Sequence, residues 1–469
     1  MASHVDDNAA GIAVIGAGII GASIALALRK RGAEVWLIDR DDPGQGCSFG
    51  NSGAISPASV APLAMPGVLS QVPGMLLDKE GPLHLPWRYL PRALPWLLRF
   101  VASARPAAVE ASAVRLAGFH EGALESHQAM TRELGVPELF LRRGHLYLYP
   151  DEQALARDAG GWRMREARGF RVERLDRDGI LALEPRVSQR YRIGMYLADH
   201  ATILNPHRYV QAMVRAFVSA GGRLLRSEVS ALRPGQDGWR LAMPEADGDR
   251  PFGNVVIAAG AWSRGLLAPL GVRLNLESQR GYHLQFDRGR GLVSRTVVLA
   301  DHKIFVTPME EGLRVGGTVE IGGLRAPPDP RRAQVLERIA RETFRDLEAQ
   351  PARVWMGHRP CMPDSVPVVG PVTGKPGLWL ATGHGHLGLT DSLGTARRIA
   401  EGILGGGSRA EGADAPVRGY PSRDASDRSS SNRSLVRAYH ERPCMRAISP
   451  IRSARTCCLS ASKYRSSMW

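Results

Sequence analysis

Three glycines near the start of the chain have the spacing of a nucleotide-binding turn. Gly16, Gly18 and Gly21 follow the apolar run 12–15, which predicts a buried strand, and precede a segment that predicts a helix ending at Gly32. Glycines at these positions let the backbone turn tightly and approach a pyrophosphate, whose charge the helix N-terminus stabilises. In this β-α-β context the pattern predicts a dinucleotide site rather than an unrelated glycine-rich turn.

Asp39 closes the same β-α-β unit. It ends a second apolar run, 35–38, and lies 23 residues beyond Gly16, where a carboxylate can accept a hydrogen bond from a ribose hydroxyl. An acid here disfavours NADP, whose 2′-phosphate needs a basic partner, but it does not separate NAD from FAD. We assign the neighbouring Arg40 to the same site.

Segments further along the chain favour a flavin. Residues 46–53 are rich in Gly, Ser and Asn, so a flat ring can pack against their backbone while short polar side chains donate hydrogen bonds. Another buried strand, 255–260, lies far downstream, as expected where the cofactor domain is assembled from separated pieces. The Gly- and His-rich loop 382–390 leads into a predicted helix, 391–404. The N–H groups at that helix start would stabilise the anion of a reduced flavin.

These motifs resemble those of the FAD-dependent D-amino-acid dehydrogenase branch of the D-amino-acid oxidase/glycine oxidase superfamily. The resemblance runs from about Gly11 to Gly406 and also rests on Arg280-Gly281-Tyr282-His283 and on Gly357-His358-Arg359-Pro360, followed by Pro363-Asp364. It implies an α/β fold with a discontinuous Rossmann-type FAD-binding domain and a substrate domain built on a mainly antiparallel sheet. We expect residues 11–85, 196–268 and 356–406 in the FAD-binding domain, and residues 86–195 and 269–355 in the substrate domain.

The resemblance implies the oxidative deamination of a small D-amino acid or of a cyclic imino acid of the D-proline or hydroxyproline type. Hydride would pass from Cα to flavin N5, and a quinone or another acceptor would receive the electrons. The alternative is a glycine- or sarcosine-type amine oxidase that uses oxygen.

Arg359 is the site residue that the resemblance predicts most directly. Its guanidinium would hold the substrate carboxylate in a bidentate pair, the other interpretation being a structural arginine. Tyr282 and His283 would line the pocket or pack in the core, and as neighbours on one strand they cannot both face the flavin. We nominate no catalytic base. The residues assigned to the cofactor are Gly16, Gly18, Ile19, Gly21, Asp39, Arg40, Ser48, Asn51, Ser52, Gly53, Val229, Ala259, Gly260, Trp262, Gly383, His384, Gly385, Gly388, Leu389 and Thr390.

Two further motifs could bind a metal or a covalent flavin, but we predict neither. His384 and His386 are spaced like a metal pair, but no third ligand is evident, so we predict no metal. Cys361 could carry a covalent flavin link, as a cysteine does in some sarcosine-oxidising relatives, but a buried free thiol is the commoner state and we expect no attachment.

Charge and composition argue against nucleic acid as the partner. The 469-residue chain carries a net charge of +15, and residues 407–469 alone hold 12 Lys and Arg against five Asp and Glu. Arginines elsewhere are scattered and do not alternate with aromatic residues as in a single-strand binder. An RNA-binding protein with a vestigial nucleotide fold is kept as the alternative from another class. The Ser- and Arg-rich segment 407–469 predicts a disordered or non-family tail.

Residues 86–104 combine Trp, Phe and Arg, so they would form a pocket lid or lie against a membrane. The following stretch, 107–134, predicts one long amphipathic helix. The start of the chain lacks the layout of a secretory signal, and only Cys47 and Cys361 lie before the tail. We therefore expect a cytoplasmic protein, with a possible peripheral contact to the inner membrane.

Overall fold

The computed structural model describes residues 11–67, 81, 83–244, 250–347 and 351–405. The predicted tail, 407–469, lies outside these residues. In chain order the strands are β1 (Ile12–Ile15), β2 (Val35–Asp39), β3 (Ala54–Ile55), β4 (Leu83–His84), β5 (Phe140–Leu141), β6 (His145–Tyr149), β7 (Glu173–Leu175), β8 (Ile193–Leu197), β9 (Ala201–Ile203), β10 (Arg223–Arg226), β11 (Ala231–Gly235), β12 (Gly238–Ala242), β13 (Asn254–Ile257), β14 (Glu277–Phe286), β15 (Thr296–Leu299), β16 (Ile304–Met309), β17 (Gly312–Ile321), β18 (Arg353–Cys361), β19 (Val368–Pro371) and β20 (Leu378–Thr382). The α-helices are α1 (Ile19–Lys30), α2 (Leu90–Ser103), α3 (Pro106–His120), α4 (Ala123–Glu133), α5 (Glu152–Glu166), α6 (Arg177–Leu183), α7 (Pro206–Ser219), α8 (Ser263–Leu267), α9 (Pro330–Thr343) and α10 (Gly388–Leu404).

A six-stranded sheet carries the N-terminal β-α-β unit. Its strand order is β10-β2-β1-β13-β20-β19, and every neighbouring pair is parallel except β19 with β20. All four residues of β1 are buried, as expected for a parallel strand covered on both faces. Helices α1, α7 and α10 supply the core on one face, and the hairpin β11–β12 with residues around α8 covers the other. The predicted α/β fold with a Rossmann-type sheet is confirmed.

The second large sheet has nine strands. Strands follow the order β18-β14-β17-β16-β15-β6-β8-β7, with β4 added against β17. The pairs are antiparallel except β15 with β6 and β17 with β4. The prediction of a second, mainly antiparallel sheet is confirmed, while the limits of the two domains along the chain stay a prediction.

The stretch expected to be one helix over 107–134 is two helices. Helix α3 ends at His120, and α4 begins at Ala123. Gly122 separates them with a φ of 65°, a left-handed conformation that ends a helix at little cost only for glycine. The prediction of a continuous helix was therefore wrong at this glycine.

Helix α2 lies within the aromatic and basic segment 86–104. Pro91 occupies its first turn, where the missing N–H costs nothing, and Pro95 lies inside it. Trp96 is buried and donates from Nε1 to Cys361 O at 3.1 Å, whereas Trp87 and Leu98 are 78% and 62% exposed. One side of this segment thus packs as a cover, and the membrane contact stays a prediction. Within the described ranges, no helix has the length and apolar character needed to cross a membrane.

Candidate functional site

A cavity of about 590 Å³ opens at the carboxyl ends of the parallel strands. Strands β1, β2, β10, β13 and β20 all end at its wall, which is where open α/β sheets bind ligands. The residues of the predicted cofactor set that line it are Gly16, Gly18, Ile19, Asp39, Arg40, Ser48, Asn51, Val229, Ala259, Gly260, Trp262, His384, Gly385, Gly388 and Leu389. Segments separated by more than 300 residues therefore meet at one site.

The three glycines of the turn have different roles. A Cβ on Gly16, whose φ is 106°, would lie 2.5 Å from Ala258 O, and a Cβ on Gly21 would overlap Gly16 O. These two are glycines because protein backbone fills the space. A Cβ on Gly18 would meet only Ser48 Oγ, at 3.5 Å. Gly18 thus leaves open space on the cavity side of the turn.

The start of α1 and the end of β2 present complementary polar groups. Gly18 is the N-cap of α1 and has no capping side chain, so Ser48 Oγ accepts from Ile19 N at 2.9 Å. Asp39 accepts from Ala17 N at 2.6 Å and from Asp41 N at 3.0 Å. Burial raises the pKa of Asp39, and these two N–H donors oppose that shift.

Next to Asp39, the cavity is lined by a cationic and an aromatic side chain, Arg40 and Trp262. The guanidinium of Arg40 lies 4.6 Å from the centre of the Trp262 ring, and the ring of His358 meets Trp262 edge-on at 5.4 Å. His358 Nδ1 lies 2.9 Å from Ser278 Oγ, and burial lowers its pKa to about 4. This neutral imidazole links the cavity to the second sheet.

The loop before α10 forms another wall. Gly385 N donates to Pro360 O at 2.8 Å, and His384 Nε2 lies 3.0 Å from Thr395 Oγ1. Burial lowers the pKa of His384 to about 3 and that of His386 to about 4. Among the described residues no cluster of three or more His, Cys, Asp or Glu side chains has the arrangement of a metal site.

Five residues of the predicted cofactor set do not line the cavity. Ser52 Oγ lies close to Gly316, and Gly53 N donates to Asn51 Oδ1 at 2.7 Å. Thr390 Oγ1 accepts from Ser56 N at 3.1 Å and donates to Ala54 O at 3.3 Å. The five are Gly21, Ser52, Gly53, Gly383 and Thr390.

Some lining residues were absent from the sequence prediction. Ser227 and Glu228 directly follow β10, while Arg325 and His358 come from the second sheet and its loops. The rule that ligands sit beyond the carboxyl ends of parallel strands indicates the first two once β10 is placed beside β2. Nothing local in the sequence signals Arg325.

Arg359 lies on β18 with its guanidinium over a glycine. A Cβ on Gly281, in the neighbouring strand β14, would overlap the guanidinium, and Nη1 donates to Thr318 O at 3.0 Å. Burial lowers the pKa of Arg359, and the groups that oppose this shift are the thiols of Cys361 and Cys47. Among the residues that the structure describes, no carboxylate pairs with this cation.

Tyr282 and His283 face opposite sides of β14, as the alternation of a strand requires. Tyr282 Oη donates to Glu320 Oε2 at 2.6 Å and accepts from Asp329 N at 2.8 Å. Its hydroxyl is thus used within the sheet. Of the two interpretations left open for Tyr282, these contacts favour packing within the sheet, because a buried phenol needs a hydrogen-bond partner.

His283 lies on the same face as Arg359. Its Nδ1 donates to Gly50 O at 3.1 Å, and its ring stacks on Trp355 with 5.0 Å between centres. Burial, and then the charge of Arg314, lowers its pKa to about 3. A neutral imidazole and an indole therefore border the loop 46–53 near Arg359.

The two thiols beside Arg359 are protonated. Cys47 Sγ donates to His358 O at 2.9 Å, and burial raises the pKa of Cys47 to about 11 and that of Cys361 to about 12. Both cysteines are free in the structure. Protonated buried thiols are poor nucleophiles.

The site fits a dinucleotide such as FAD. The volume lies within the range of cofactor pockets, about 300–1,000 Å³. Gly18 leaves room for a phosphate at the N-terminus of α1, and Asp39 supplies an acceptor at the end of β2. The second helix N-terminus, at Gly388, also opens on the cavity.

Comparisons with known proteins agree with this geometry. The family model described as DAO, FAD dependent oxidoreductase, matches residues 11–402. A D-amino-acid oxidase of Bradyrhizobium diazoefficiens is 36% identical over 402 residues, covering 84% of this chain and 95% of the relative. A D-amino acid dehydrogenase 2 of Ralstonia nicotianae is 33% identical over 408 residues, covering 83% and 95%.

Solved structures show the same fold. Glycine oxidase from Geobacillus kaustophilus superposes with a TM-score of 0.68 at 20% identity, covering 88% of this chain and 99% of the other. L-proline dehydrogenase from P. horikoshii gives 0.66 at 18% identity, covering 85% and 94%. At these identities the likeness concerns the fold.

Proposed function

The chain belongs to the DAO family of FAD-dependent oxidoreductases, and from this premise we propose that it oxidises the Cα–N bond of a small D-amino acid or cyclic imino acid. It is a flavoenzyme that acts on amines. The finer part of the proposal concerns the substrate and the acceptor, which we propose to be a quinone or another carrier. Relatives named D-amino-acid oxidase and D-amino acid dehydrogenase support it.

The observation that carries the proposal is the uncompensated charge of Arg359. A half-buried guanidinium for which the described residues offer no carboxylate partner is costly, and an anionic ligand would complete its hydrogen bonding. A planar fork suits a carboxylate, which every amino and imino acid carries. Arg359 would therefore bind the substrate by its acid group.

The residues around Arg359 orient the bound molecule. Thr318 O accepts from Nη1 and Gly281 leaves room for the guanidinium, so the fork is fixed before a ligand arrives. Such preorganisation places Cα reproducibly and reduces the entropy lost on reaching the reactive geometry. His283 and Trp355 would bound the space for the substrate side chain, and Tyr282 has no assigned contact with substrate.

We propose that the cavity residues hold FAD with one end at Asp39 and the other at the loop before α10. Gly18, Ile19 and Ser48 would face the pyrophosphate, and Gly385 with Gly388 would face the ring system. When bound, FAD supplies the oxidant that accepts the hydride from Cα. No strong base is required, because the amine needs only to reach its neutral form.

Anaerobic reduction of the purified holoenzyme tests the proposal. D- and L-enantiomers of alanine, valine and proline, with glycine and sarcosine, are mixed with the enzyme, and flavin bleaching is followed by absorbance. D-alanine or D-proline should bleach the flavin, whereas the L-enantiomers should not. Bleaching by L-enantiomers alone, or by none of the compounds, contradicts the proposal.

The acceptor is tested by reoxidising the reduced enzyme with a short-chain quinone or with air-saturated buffer. We expect the quinone to reoxidise it faster than oxygen does. The alternative is a glycine- or sarcosine-type amine oxidase, since glycine oxidase has the same fold. Rapid peroxide formation with glycine or sarcosine would establish it instead.

A further inference from the structure

Thr318 has a backbone conformation that β-branched residues rarely adopt. Its φ is 54° in the middle of β17. A β-branched side chain in the left-handed region is a genuine outlier, because Cβ crowds the following carbonyl. Such strained positions persist only where the surrounding structure fixes them, and they cluster at binding sites.

The strain belongs to a β-bulge between β14 and β17. Arg280 pairs with Glu320 and Tyr282 pairs with Gly317, so β17 holds one residue more than β14 across this interval. A bulge turns the local backbone and redirects the groups it carries. The Thr318 carbonyl is the group that accepts from Arg359 Nη1, at 3.0 Å.

The Thr318 hydroxyl is buried and has no hydrogen-bond partner in the described part of the chain. The residue is 5% exposed, and Oγ1 makes no hydrogen bond. A buried hydroxyl without a partner lowers stability, and most such groups in native proteins are satisfied. Both observations are explained if the hydroxyl gains its hydrogen-bond partner only when a ligand binds.

The position of the bulge relates the hydroxyl to the ligand site. Gly316, two residues earlier, lies close to Ser52 Oγ in the loop 46–53, and Thr318 contacts the guanidinium of Arg359 through its carbonyl. The bulge therefore lies between the cofactor loop and the cation that would bind the substrate.

We propose that Thr318 is a second carboxylate-binding residue, whose Oγ1–H donates to the acid group held by Arg359. The inference rests on the proposed function, because it assumes that a carboxylate binds Arg359. Thr318 O fixes one edge of the guanidinium, and the hydroxyl of the same residue adds a donor beside it. Both groups belong to the same residue of the bulge.

Binding of a carboxylate that cannot be oxidised tests this inference without turnover. Propionate is titrated against the FAD-loaded enzyme, and the change in the flavin spectrum gives Kd. Propionamide, which lacks the charge, is the matched ligand control. Thr318→Val removes the hydroxyl and keeps the shape of the side chain, whereas Thr318→Ser keeps the hydroxyl.

Thr318→Val should raise the Kd of propionate about tenfold, and Thr318→Ser should stay within about twofold of wild type. The Tm of ligand-free Thr318→Val should equal or exceed that of wild type, because an unpaired buried hydroxyl is removed. Thr318→Gly also relieves the strain at φ 54°, so it should fold and bind propionate as weakly as the valine variant.

Unchanged propionate binding by Thr318→Val overturns the inference. A raised Kd together with a lower Tm in both the valine and the glycine variant overturns it as well, because that result indicates a structural role. The proposed function fails separately. If no D-amino or imino acid bleaches the wild-type flavin while propionate binding still depends on the hydroxyl, Thr318 keeps its role and the substrate assignment falls. If D-amino acids bleach the flavin and Thr318→Val leaves KM unchanged, only the inference falls.

Discussion

Arg359 is held in place by protein contacts that leave part of its guanidinium without an acidic partner among the described residues. Its cation is partly desolvated, Nη1 donates one hydrogen bond to Thr318 O, and Gly281 below it leaves room for the guanidinium. The remaining N–H groups have no acidic partner among the described residues. Charges removed from water are normally paired, so this exception supports the proposal that an anion binds at Arg359.

Replacing Arg359 by Ala should weaken substrate binding and leave the cofactor in place. Loss of a charged hydrogen bond costs about 1.5–3 kcal/mol, so KM should rise by roughly 10- to 150-fold. Steady-state kinetics with the substrate identified by flavin bleaching checks this, and the flavin-to-protein absorbance ratio checks cofactor retention. Arg353→Ala is the control, since Arg353 lies on the same strand and is exposed, paired with Asp287 and Glu311. Equal KM values for the two variants would remove Arg359 from the site.

Gly18→Val should separate cofactor binding from folding. The added side chain finds open space in the folded protein, yet it occupies the room that a pyrophosphate needs. The variant should therefore keep its secondary structure by circular dichroism and purify without flavin. Gly21→Val is the matched comparison, because its Cβ meets Gly16 O and the fold itself should fail. A yellow, FAD-saturated Gly18→Val protein is the contrary result.

At the scale of elements, the sequence predicts best what depends on neighbouring residues. Strand β1 is found at the predicted residues 12–15, because an apolar run followed by glycines is a local signal. Helix α10 begins at Gly388, three residues before the predicted start. In the ten-residue strand β14, only residues 282–286 alternate between apolar and polar in the sequence and so predict a strand. Every residue of β14 is buried, polar ones included, so no alternation marks its first half.

Buried histidines at the junctions between elements should make stability depend on pH. His145, on β6, donates from Nε2 to Ala201 O at 2.9 Å, and burial lowers its pKa to about 4 from an ordinary 6.5. In the unfolded chain His145 binds a proton below about pH 6.5, whereas in the folded chain it binds one only below about pH 4. The free energy of unfolding therefore falls as pH decreases through this window, by about 2 kcal/mol for one histidine between pH 7 and 5.

Urea unfolding of His145→Gln at pH 7 and pH 5 checks this dependence. The amide can keep the donor to Ala201 O and does not titrate, so the variant should lose less stability than wild type between the two pH values. His120 and His127 share the same direction of pKa shift, so the variant should still lose some. Equal losses in the two proteins would mean that His145 does not contribute.

For the whole molecule, long-range assembly limits what the sequence can predict. The glycine turn, Asp39 and the loop before α10 each carry a local pattern, and the structure brings them to one cavity. Arg325 and His358 enter that cavity only because the second sheet packs beside the first. The bulge that strains Thr318 depends on the pairing of β14 with β17. No periodicity within β17 encodes such a register shift.

Removing residues 407–469 should leave FAD content and turnover within about twofold of the full chain. The family match ends at residue 402 and no assigned site residue lies beyond Thr390, so the tail supplies no predicted chemistry. Anaerobic bleaching and flavin content of the shortened protein check this, with the full chain measured in parallel. Loss of flavin on truncation would give the tail a part in the site.

The order of strands in the six-stranded sheet has a consequence for biosynthesis. The glycine turn is made first, but β13 and β20 that stand beside β1, and the helix α10 that completes the cavity, come from much later in the chain. At about 5–20 residues per second, the ribosome needs roughly 20–75 s to make the stretch between them. A nascent chain therefore has no complete pocket until α10 has been made, so flavin cannot find its full set of contacts before that point.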